Sequence, residues 1–474
     1  MISRRHFLGT GTGALGAAML LPGWSVAVAE AAENAARLLI EPKPGLAPLA
    51  GAEAPSVPIW GYGGHVPGPV IRVKRGSTIR ARLKNSLDQP TTVHWHGIRI
   101  DNAMDGVAGL TQDAIRPGET FDYTFTVPDA GTFWYHPHNR SWEQVARGLY
   151  GLLIVDEDIP PAVDRDIPFI ADDWLLGKDG KIDERSMGHF GQWTHGGRLG
   201  NWLTVNGLTD PEIPVLAGER IRLRLVNSAN ARILAFDFGE LRTQILALDG
   251  QPVEKTEFLS GGITLAPAQR ADLIIDIVGK AGSKIPVMEV STRDRIKAAQ
   301  FVISEKPPLR NAPPAEPAIL EANTLLRPPK TDGAQHIDLV MEGGAMGGLS
   351  QGTIDGKTLT IQELVDKKLV WAFNGALGMQ KEPLARIKRG RTAVINMVNR
   401  TAFPHAMHLH GYHFRVVERG GKPVYGAPWR DTELVDVDEQ VRIAFIAENP
   451  GKWLFHCHML EHTAAGMVTW IDVA

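Results

Sequence analysis

The strongest constraint on the fold is a pattern that occurs three times along the 474 residues of the chain. Each copy has a strand-like run, a glycine, an alternating run and then an asparagine. The landmarks are Gly76, Gly218 and Gly390, followed by Asn85, Asn227 and Asn399. Both sets are offset by the same 142 and 172 residues, which makes chance recurrence of short strand patterns a poor explanation. In the alternating runs, Arg and Lys exchange with Ile, Val and Leu at period two, as in half-buried strands. The repetition therefore predicts three related β domains.

We place these domains at residues 37–157, 160–305 and 335–474. The segment 306–334 is rich in proline and predicts an extended linker. The chain has 50 glycines and 32 prolines, which favour turns over long helices. An all-β fold follows. The formal charge of −3 gives no basic surface, so we expect no nucleic-acid partner.

The first 29 residues are typical of an export signal. Arg4 and Arg5 precede a short apolar stretch that is diluted with glycine, and Ala27-Val28-Ala29 is a small-residue cleavage site. "SRRHFLG" is similar to the twin-arginine signal, although an ordinary signal with a chance arginine pair is the alternative. The apolar stretch is too short to predict a membrane helix. We expect a periplasmic or exported protein with no membrane contact after signal removal.

Four His-x-His pairs occupy corresponding places in the outer domains. Nine and eleven residues after the repeat asparagine, the first and third copies carry histidines, and the middle copy carries Phe236 and Phe238. A second pair follows later in each outer domain. The four pairs are His94 and His96, His136 and His138, His408 and His410, and His456 and His458. Residues i and i+2 of a strand point to the same face, so each pair directs two imidazoles the same way.

Eight imidazoles are too many ligands for one ion and enough for three ions that share bridging oxygens. The spacing therefore predicts a metal cluster between the first and third domains. A hydrogen-bonded core or surface role is the alternative, and we keep it for His65, His189, His195, His336 and His413.

Cys457 is the only cysteine in the chain and lies between His456 and His458. By the period of a strand it points to the opposite face, and so to a different metal from its neighbours. His462 and Met467 follow at intervals of five residues, and His405 precedes the third-domain pair. Two histidines, a cysteine and a weak axial methionine form a blue-copper electron-transfer site. Ligation would also protect an exported thiol from oxidation.

The motifs "HWHG", "WYHPH", "HAMHLHG" and "HCHMLEHTAAGM" resemble those of the multicopper oxidases. The resemblance extends from about residue 50 to the end of the chain. It implies three consecutive cupredoxin-like Greek-key β-sandwich domains and four coppers. It further implies that four one-electron oxidations of a donor are coupled to reduction of dioxygen to water.

The resemblance assigns every ligand position. The type 1 copper would take His405, Cys457, His462 and Met467. The type 2 copper would take His94 and His408, and the type 3 pair would take His96, His136, His138, His410, His456 and His458. Cys457, His456 and His458 would carry electrons from the type 1 copper to the cluster.

Two positions bear on proton delivery. Asp105 lies nine residues after His96, where the family commonly has an acid near the type 2 copper; a turn residue before Gly106 is the alternative. Thr463 is a departure, because many bacterial members have an acid immediately after the second type 1 histidine. A hydroxyl-and-water path or a slower turnover would follow.

The sequence constrains the identity of the electron donor less than it constrains the metal site. A laccase-like enzyme would oxidise phenols and aromatic amines, whereas a cuprous oxidase for copper tolerance would oxidise Cu(I). Only Met341 and Met346 represent the methionine-rich insertion of cuprous oxidases, which favours the laccase-like interpretation. A copper-binding electron carrier is a third alternative, and the eight-histidine cluster argues against it.

Residues 340–370, with a short helix in "TIQELVDKKL", would form a cover over the substrate site or a surface insertion. Since the cluster closes within one chain, we expect a monomer.

Overall fold

The computed structural model describes residues 28–30, 38–51 and 53–474. The predicted signal peptide lies outside these residues, apart from Val28 and Ala29. In the first domain a five-stranded sheet and a three-stranded sheet pack together, with a hairpin beside them. Its strands are Val28–Glu30, Leu38–Ile40, Pro42–Ala47, Val57–Tyr62, Gly68–Lys74, Thr78–Lys84, His94–His96, Thr120–Thr126, Gly131–His136 and Gly151–Asp156, with a 3-10 helix at Asn102–Met104 and an α-helix at Ser141–Gln144.

The middle domain has a six-stranded sheet against a five-stranded sheet. Its strands are Arg165–Trp174, Trp202–Val205, Glu212–Val215, Arg220–Asn227, Leu234–Asp237, Arg242–Leu248, Gln251–Phe258, Ile263–Leu265, Arg270–Asp276, Lys284–Glu289 and Ile296–Ile303. A 3-10 helix at Glu184–Ser186 and an α-helix at Phe190–Thr194 lie in the long connection after its first strand.

The third domain has a seven-stranded sheet against a five-stranded sheet, with a separate hairpin. Its strands are Gln335–Gly343, Gln351–Ile354, Lys357–Thr360, Trp371–Phe373, Ala385–Ile387, Thr392–Asn399, His405–Leu409, Phe414–Arg419, Lys422–Pro423, Trp429–Arg430, Thr432–Val435, Gln440–Ile446, Gly451–Cys457 and Val468–Val473; its helices are Ile361–Asp366 and Leu460–Ala464. Each domain has one main apolar core between its two sheets, so the predicted all-β fold of three β-sandwiches is confirmed.

The repeated asparagines make the same hydrogen bonds in every domain. The side-chain amides of Asn85, Asn227 and Asn399 each donate to a main-chain carbonyl four or five residues later and to a second carbonyl 30 to 38 residues later. Each Oδ1 accepts the main-chain N–H two residues on. The three side chains are buried. A short polar side chain that satisfies several buried main-chain groups at once fixes the turn before the strand that follows.

The backbone conformation explains why glycine recurs at the same place in each domain. Gly76, Gly218 and Gly390 have φ of 80°, 78° and 82°, in the left-handed region that favours glycine. Each turns the chain between two strands of its domain. At Gly218 a Cβ would also lie 2.1 Å from the main-chain oxygen of Arg310 in the linker.

One strand departs from the half-buried expectation. In Arg220–Asn227 every residue is buried on both faces. The basic face is covered, and Arg220 and Arg222 are paired there with Asp276 and Asp272. Buried charges are stable only when they are paired and hydrogen-bonded, and these two arginines meet both conditions.

The segment 306–334 contains no helix or strand and runs over the other domains, as an extended linker does. Gln244 exchanges side-chain hydrogen bonds with the main chain of Ala318, and Asn323 donates to Asp129 and Gln251. The helix in "TIQELVDKKL" is Ile361–Asp366, and a capping box at Thr360 and Glu363 fixes its start. Within the described residues, no helix is long and apolar enough to cross a membrane.

Candidate metal centres

Strand pairing determines which side chains meet. The strand His405–Leu409 lies between Thr432–Val435 and Gly451–Cys457, with Met407 opposite Cys457 and His408 opposite His456. In the first domain His94 lies opposite His136. Neighbouring strands are about 5 Å apart, so a histidine pair on one strand meets the pair on the next.

The first centre consists of His405, Cys457 and His462. The Nδ1 atoms of the two imidazoles are 3.1 Å apart, and Cys457 Sγ lies 3.6 Å and 3.7 Å from them. All three side chains are fully buried. The main-chain oxygen of Met467 accepts a hydrogen bond from the N–H of Cys457, which brings that buried methionine to the same end of the core.

The opposite nitrogens of this centre are held by other residues. His405 Nε2 lies 2.7 Å from Thr401 Oγ1, and His462 Nε2 donates to the carbonyl of His195 at 2.6 Å. The Trp371 indole packs over both rings, at 4.4 Å from the His462 ring centre and 5.2 Å from that of His405. These contacts aim both Nδ1 atoms at the thiol.

The second centre lies where the first and third domains face each other. His410 Nε2 and His138 Nε2 lie 3.2 Å and 3.4 Å from His456 Nε2, and His136 Nε2 lies 3.4 Å from His458 Nε2. The cluster is continuous across the two domains, because ligand atoms of His94 fall within 4.8 Å of those of His408 and His410 and of those of His96 and His136. The ligand atoms form overlapping groups of three, which are His138, His410 and His456; His94, His408 and His410; and His94, His96 and His136.

The hydrogen bonds of His94 and His408 leave one nitrogen of each ring available to a metal. Each Nδ1–H donates to a main-chain carbonyl, that of Asp105 at 2.8 Å and that of Asp431 at 2.9 Å. Each Nε2 is buried and has no hydrogen-bond partner among the residues that the structure describes. An unpartnered buried acceptor is costly, and a bound metal ion would satisfy both.

Two carboxylates contact this centre from opposite sides. His410 Nδ1–H donates to Asp105 Oδ2 at 3.0 Å. Asp431 Oδ1 lies 3.2 Å from His96 Nε2, and both its oxygens accept from the fully buried Arg270, at 2.8 Å and 2.6 Å. Arg270 belongs to the middle domain, so this ion pair joins it to the cluster.

The protonation states of the histidine side chains suit metal binding. Burial lowers the pKa of His405 well below its ordinary value and that of His462 to about 4, so both imidazoles are neutral. Burial raises the pKa of the Cys457 thiol to about 12, and a metal would therefore have to displace its proton. Burial also lowers the pKa of most cluster histidines: His96, His136, His138, His408, His410, His456 and His458.

Comparison with known proteins identifies the family. Sequence models of the multicopper oxidases match residues 49–159, 166–290 and 355–474. The chain is 30% identical to multicopper oxidase MmcO of Mycobacterium tuberculosis, over 99% of this chain and 96% of that protein. The protein is a multicopper oxidase.

Solved structures of multicopper oxidases have the same fold. Lac15 from a marine microbial metagenome is 38% identical, with a TM-score of 0.73 over 92% of this chain and 100% of that one. A multi-copper oxidase from Pseudomonas thermotolerans is 30% identical, with a TM-score of 0.78 over 93% and 100%. As a multicopper oxidase, the protein is an oxidoreductase that uses dioxygen as electron acceptor and copper as cofactor.

The ligand side chains of both centres fit copper. A thiolate with two imidazoles suits a soft site, and clustered neutral imidazoles suit the harder ions of the second centre. Cys457 also links the two centres, because its carbonyl accepts a hydrogen bond from His456 Nδ1–H at 2.9 Å. Its thiol faces the first centre, while the adjacent imidazoles of His456 and His458 face the second.

Several residues of this multicopper oxidase were not found from the sequence. Asp431, Arg270 and Trp371 contact the centres through strand pairing and domain packing, which leave no local motif, whereas Thr401 lies only four residues before His405. Thr463, the departure noted above, has its hydroxyl 3.1 Å from His456 Nδ1. The segment 340–370 approaches the first centre near both ends: the N–H of Ala345 donates to the Thr194 carbonyl at 2.6 Å, and the N–H of Val370 donates to the Ala465 carbonyl at 2.8 Å.

Proposed function

We propose that this multicopper oxidase is laccase-like and couples four one-electron oxidations of phenols or aromatic amines to reduction of dioxygen to water. The observation that carries the proposal is the complete donor set, in which a buried cysteine with two imidazoles lies next to an eight-imidazole cluster. We assign one type 1 copper to His405, Cys457, His462 and Met467. We assign one type 2 copper to His94 and His408, and two type 3 coppers to His96, His136, His138, His410, His456 and His458.

When bound, copper would supply the one-electron redox chemistry and the dioxygen reduction. The protein holds the ligands rigidly, because every imidazole except that of His462, which lies in the helix Leu460–Ala464, is on or beside a strand, and most have their second nitrogen anchored. Electrons from the Cys457 thiolate have a short route along its own carbonyl to the Nδ1–H of His456.

Asp105 is proposed to orient His410 and to deliver protons to the cluster. Replacing it with alanine removes the acceptor of the His410 Nδ1–H bond, and we expect copper affinity to fall roughly 10- to 100-fold. Asp105→Asn keeps an acceptor oxygen, so it should retain copper and lose turnover. Copper per chain after competition with a chelator, together with oxygen uptake, separates the two effects. Asp113→Asn, at an exposed position, is the control; if Asp105→Ala retains copper as well as this control does, Asp105 does not support the ligands.

The donor is tested with the copper-loaded protein. Oxygen uptake is measured with a phenol such as methyl syringate and, separately, with Cu(I). A laccase-like enzyme should turn over the phenol with a higher kcat/KM. If only Cu(I) drives oxygen uptake, the phenolic assignment is wrong; if neither does, an electron-carrier role is favoured.

A cuprous oxidase is the second candidate, and one observation favours it. Met346 is 81% exposed and follows Ala345, which bonds to the Thr194 carbonyl beside the first centre. Its thioether is a soft ligand available to Cu(I) from solvent. Met346→Leu should then reduce turnover with Cu(I) and leave turnover with methyl syringate unchanged.

Export through the twin-arginine route to the periplasm, and a monomeric state, complete the proposal. Residues 1–29 support the first, and the formation of both centres within one chain supports the second. Fractionation with and without Arg4→Lys and Arg5→Lys tests the route.

A further inference from the structure

The type 1 imidazoles present no edge to solvent. His405 and His462 are fully buried, and their Nε2 atoms are occupied by Thr401 and by the carbonyl of His195. In this structure an organic donor therefore has no direct contact with either ligand. If phenols are oxidised, electrons must pass through the residues that cover the centre.

Tryptophans connect this centre to the surface. The buried Trp371 ring packs on His462, and its Nε1–H donates to the Trp193 carbonyl at 2.6 Å. The Trp193 ring meets that of Trp142 edge to face, with ring centres 5.3 Å apart. Trp142 is half-buried, so this series of contacts ends at an accessible aromatic surface.

Trp193 has an unused hydrogen-bond donor. Its side chain is 8% exposed, and its Nε1–H has no partner in the described part of the chain. A buried indole N–H usually finds a partner, so a ligand oxygen here would satisfy it. Gly188 packs closely against both rings, because a Cβ there would lie 3.2 Å from Trp142 Cη2 and 4.0 Å from Trp193 Cζ2.

Positive charge surrounds the same surface. The Lys368 ammonium lies 5.6 Å from the centre of the Trp193 ring and 3.5 Å from the Gly188 carbonyl oxygen. Among the described residues it has no carboxylate within 4.0 Å. The Arg140 guanidinium lies 5.1 Å from the centre of the Trp142 ring, although Glu143 pairs with it. The surface thus combines the accessible Trp142 ring with one unpaired cation, and the unused N–H donor of the buried Trp193 lies next to it.

We propose that Trp142, Trp193 and Lys368 form a binding site for aromatic carboxylates that bear a phenol, and that Trp371 connects this site to the type 1 centre. This deepens the proposed function by naming the donor class, and it rests on that function. The ring stacks on the accessible part of the Trp142 indole, the carboxylate faces Lys368, and an oxygen accepts from Trp193 Nε1. A bound donor loses one electron to the oxidised copper that the proposed function supplies, and its hydroxyl proton passes to water.

The first test measures binding without turnover. Syringate and its neutral methyl ester are titrated into copper-free full-length protein and followed by saturation-transfer NMR. We expect syringate to bind more tightly than the ester. Lys368→Met should weaken syringate binding roughly two- to fivefold, the effect of one partly exposed charge, and leave the ester unchanged. Trp193→Phe keeps the ring and removes the N–H, so it should weaken both ligands roughly threefold to tenfold.

Lys367→Met is the matched control, because it removes a charge from the adjacent exposed position. In the copper-loaded enzyme, Lys368→Met should raise KM for syringate and leave kcat unchanged. Equal effects of Lys368→Met and Lys367→Met, or no binding of syringate to wild type, would overturn the site. If syringate binds as expected but no phenol is oxidised, the proposed function fails while the site stands. If phenols are oxidised with KM insensitive to both substitutions, the function stands and the site fails.

Discussion

Replacement of Cys457 with serine is expected to abolish donor oxidation. The thiolate is the only soft anionic donor beside His405 and His462, and a hydroxyl at the same position does not select copper. Because this centre would be the only acceptor of electrons from the donor, turnover should fall roughly a thousandfold or more, which corresponds to about 4 kcal/mol or more of activation free energy. Oxygen uptake with methyl syringate measures the loss.

The same variant should leave the rest of the protein in place. The cluster ligands do not share the strand face of the Cys457 side chain. Copper content should therefore fall by one ion per chain and not by four. Met459→Leu is a suitable control, since Met459 is buried two residues away and a volume-conserving exchange costs little. If Cys457→Ser retains the visible absorption and oxygen uptake of this control, the type 1 assignment is wrong.

Replacement of Arg270 with leucine is expected to be strongly destabilising. The guanidinium is fully buried, pairs with both oxygens of Asp431, and lies 3.6 Å from Asp249. Its removal leaves two carboxylates in a site with little water, and breaking such a pair typically costs about 3–5 kcal/mol. We expect the free energy of unfolding of copper-free protein, measured by urea denaturation, to fall by that amount.

An exposed ion pair gives the matched control. Arg386 pairs with Glu382 on the surface, and Arg386→Leu should have no measurable effect. The double variant Arg270→Leu with Asp431→Leu should recover part of the loss, because it removes one of the stranded charges. If Arg270→Leu is no more destabilising than Arg386→Leu, the pair does not hold the middle domain to the cluster.

The sequence determined the local features of the protein. Period-two spacing aims both members of a His-x-His pair to one face, and this depends only on the geometry of a strand. The same geometry separated the Cys457 side chain from His456 and His458. The repeated asparagines and glycines marked three related domains, because each performs the same main-chain task in a similar turn. These inferences need no knowledge of distant contacts.

Only the tertiary structure decided what surrounds the centres. Asp431 reaches His96 and His408 because it directly precedes the strand Thr432–Val435, which lies beside the His405–Leu409 strand, and Arg270 comes from another domain. The carbonyl of His195 closes over His462 from 267 residues away, and no spacing rule in the sequence encodes that contact. The basic strand Arg220–Asn227 was buried for the same reason, since partners from other segments cover its charged face. Ligand spacing is a property of one strand, whereas burial, charge pairing and donor access are properties of how strands and domains pack.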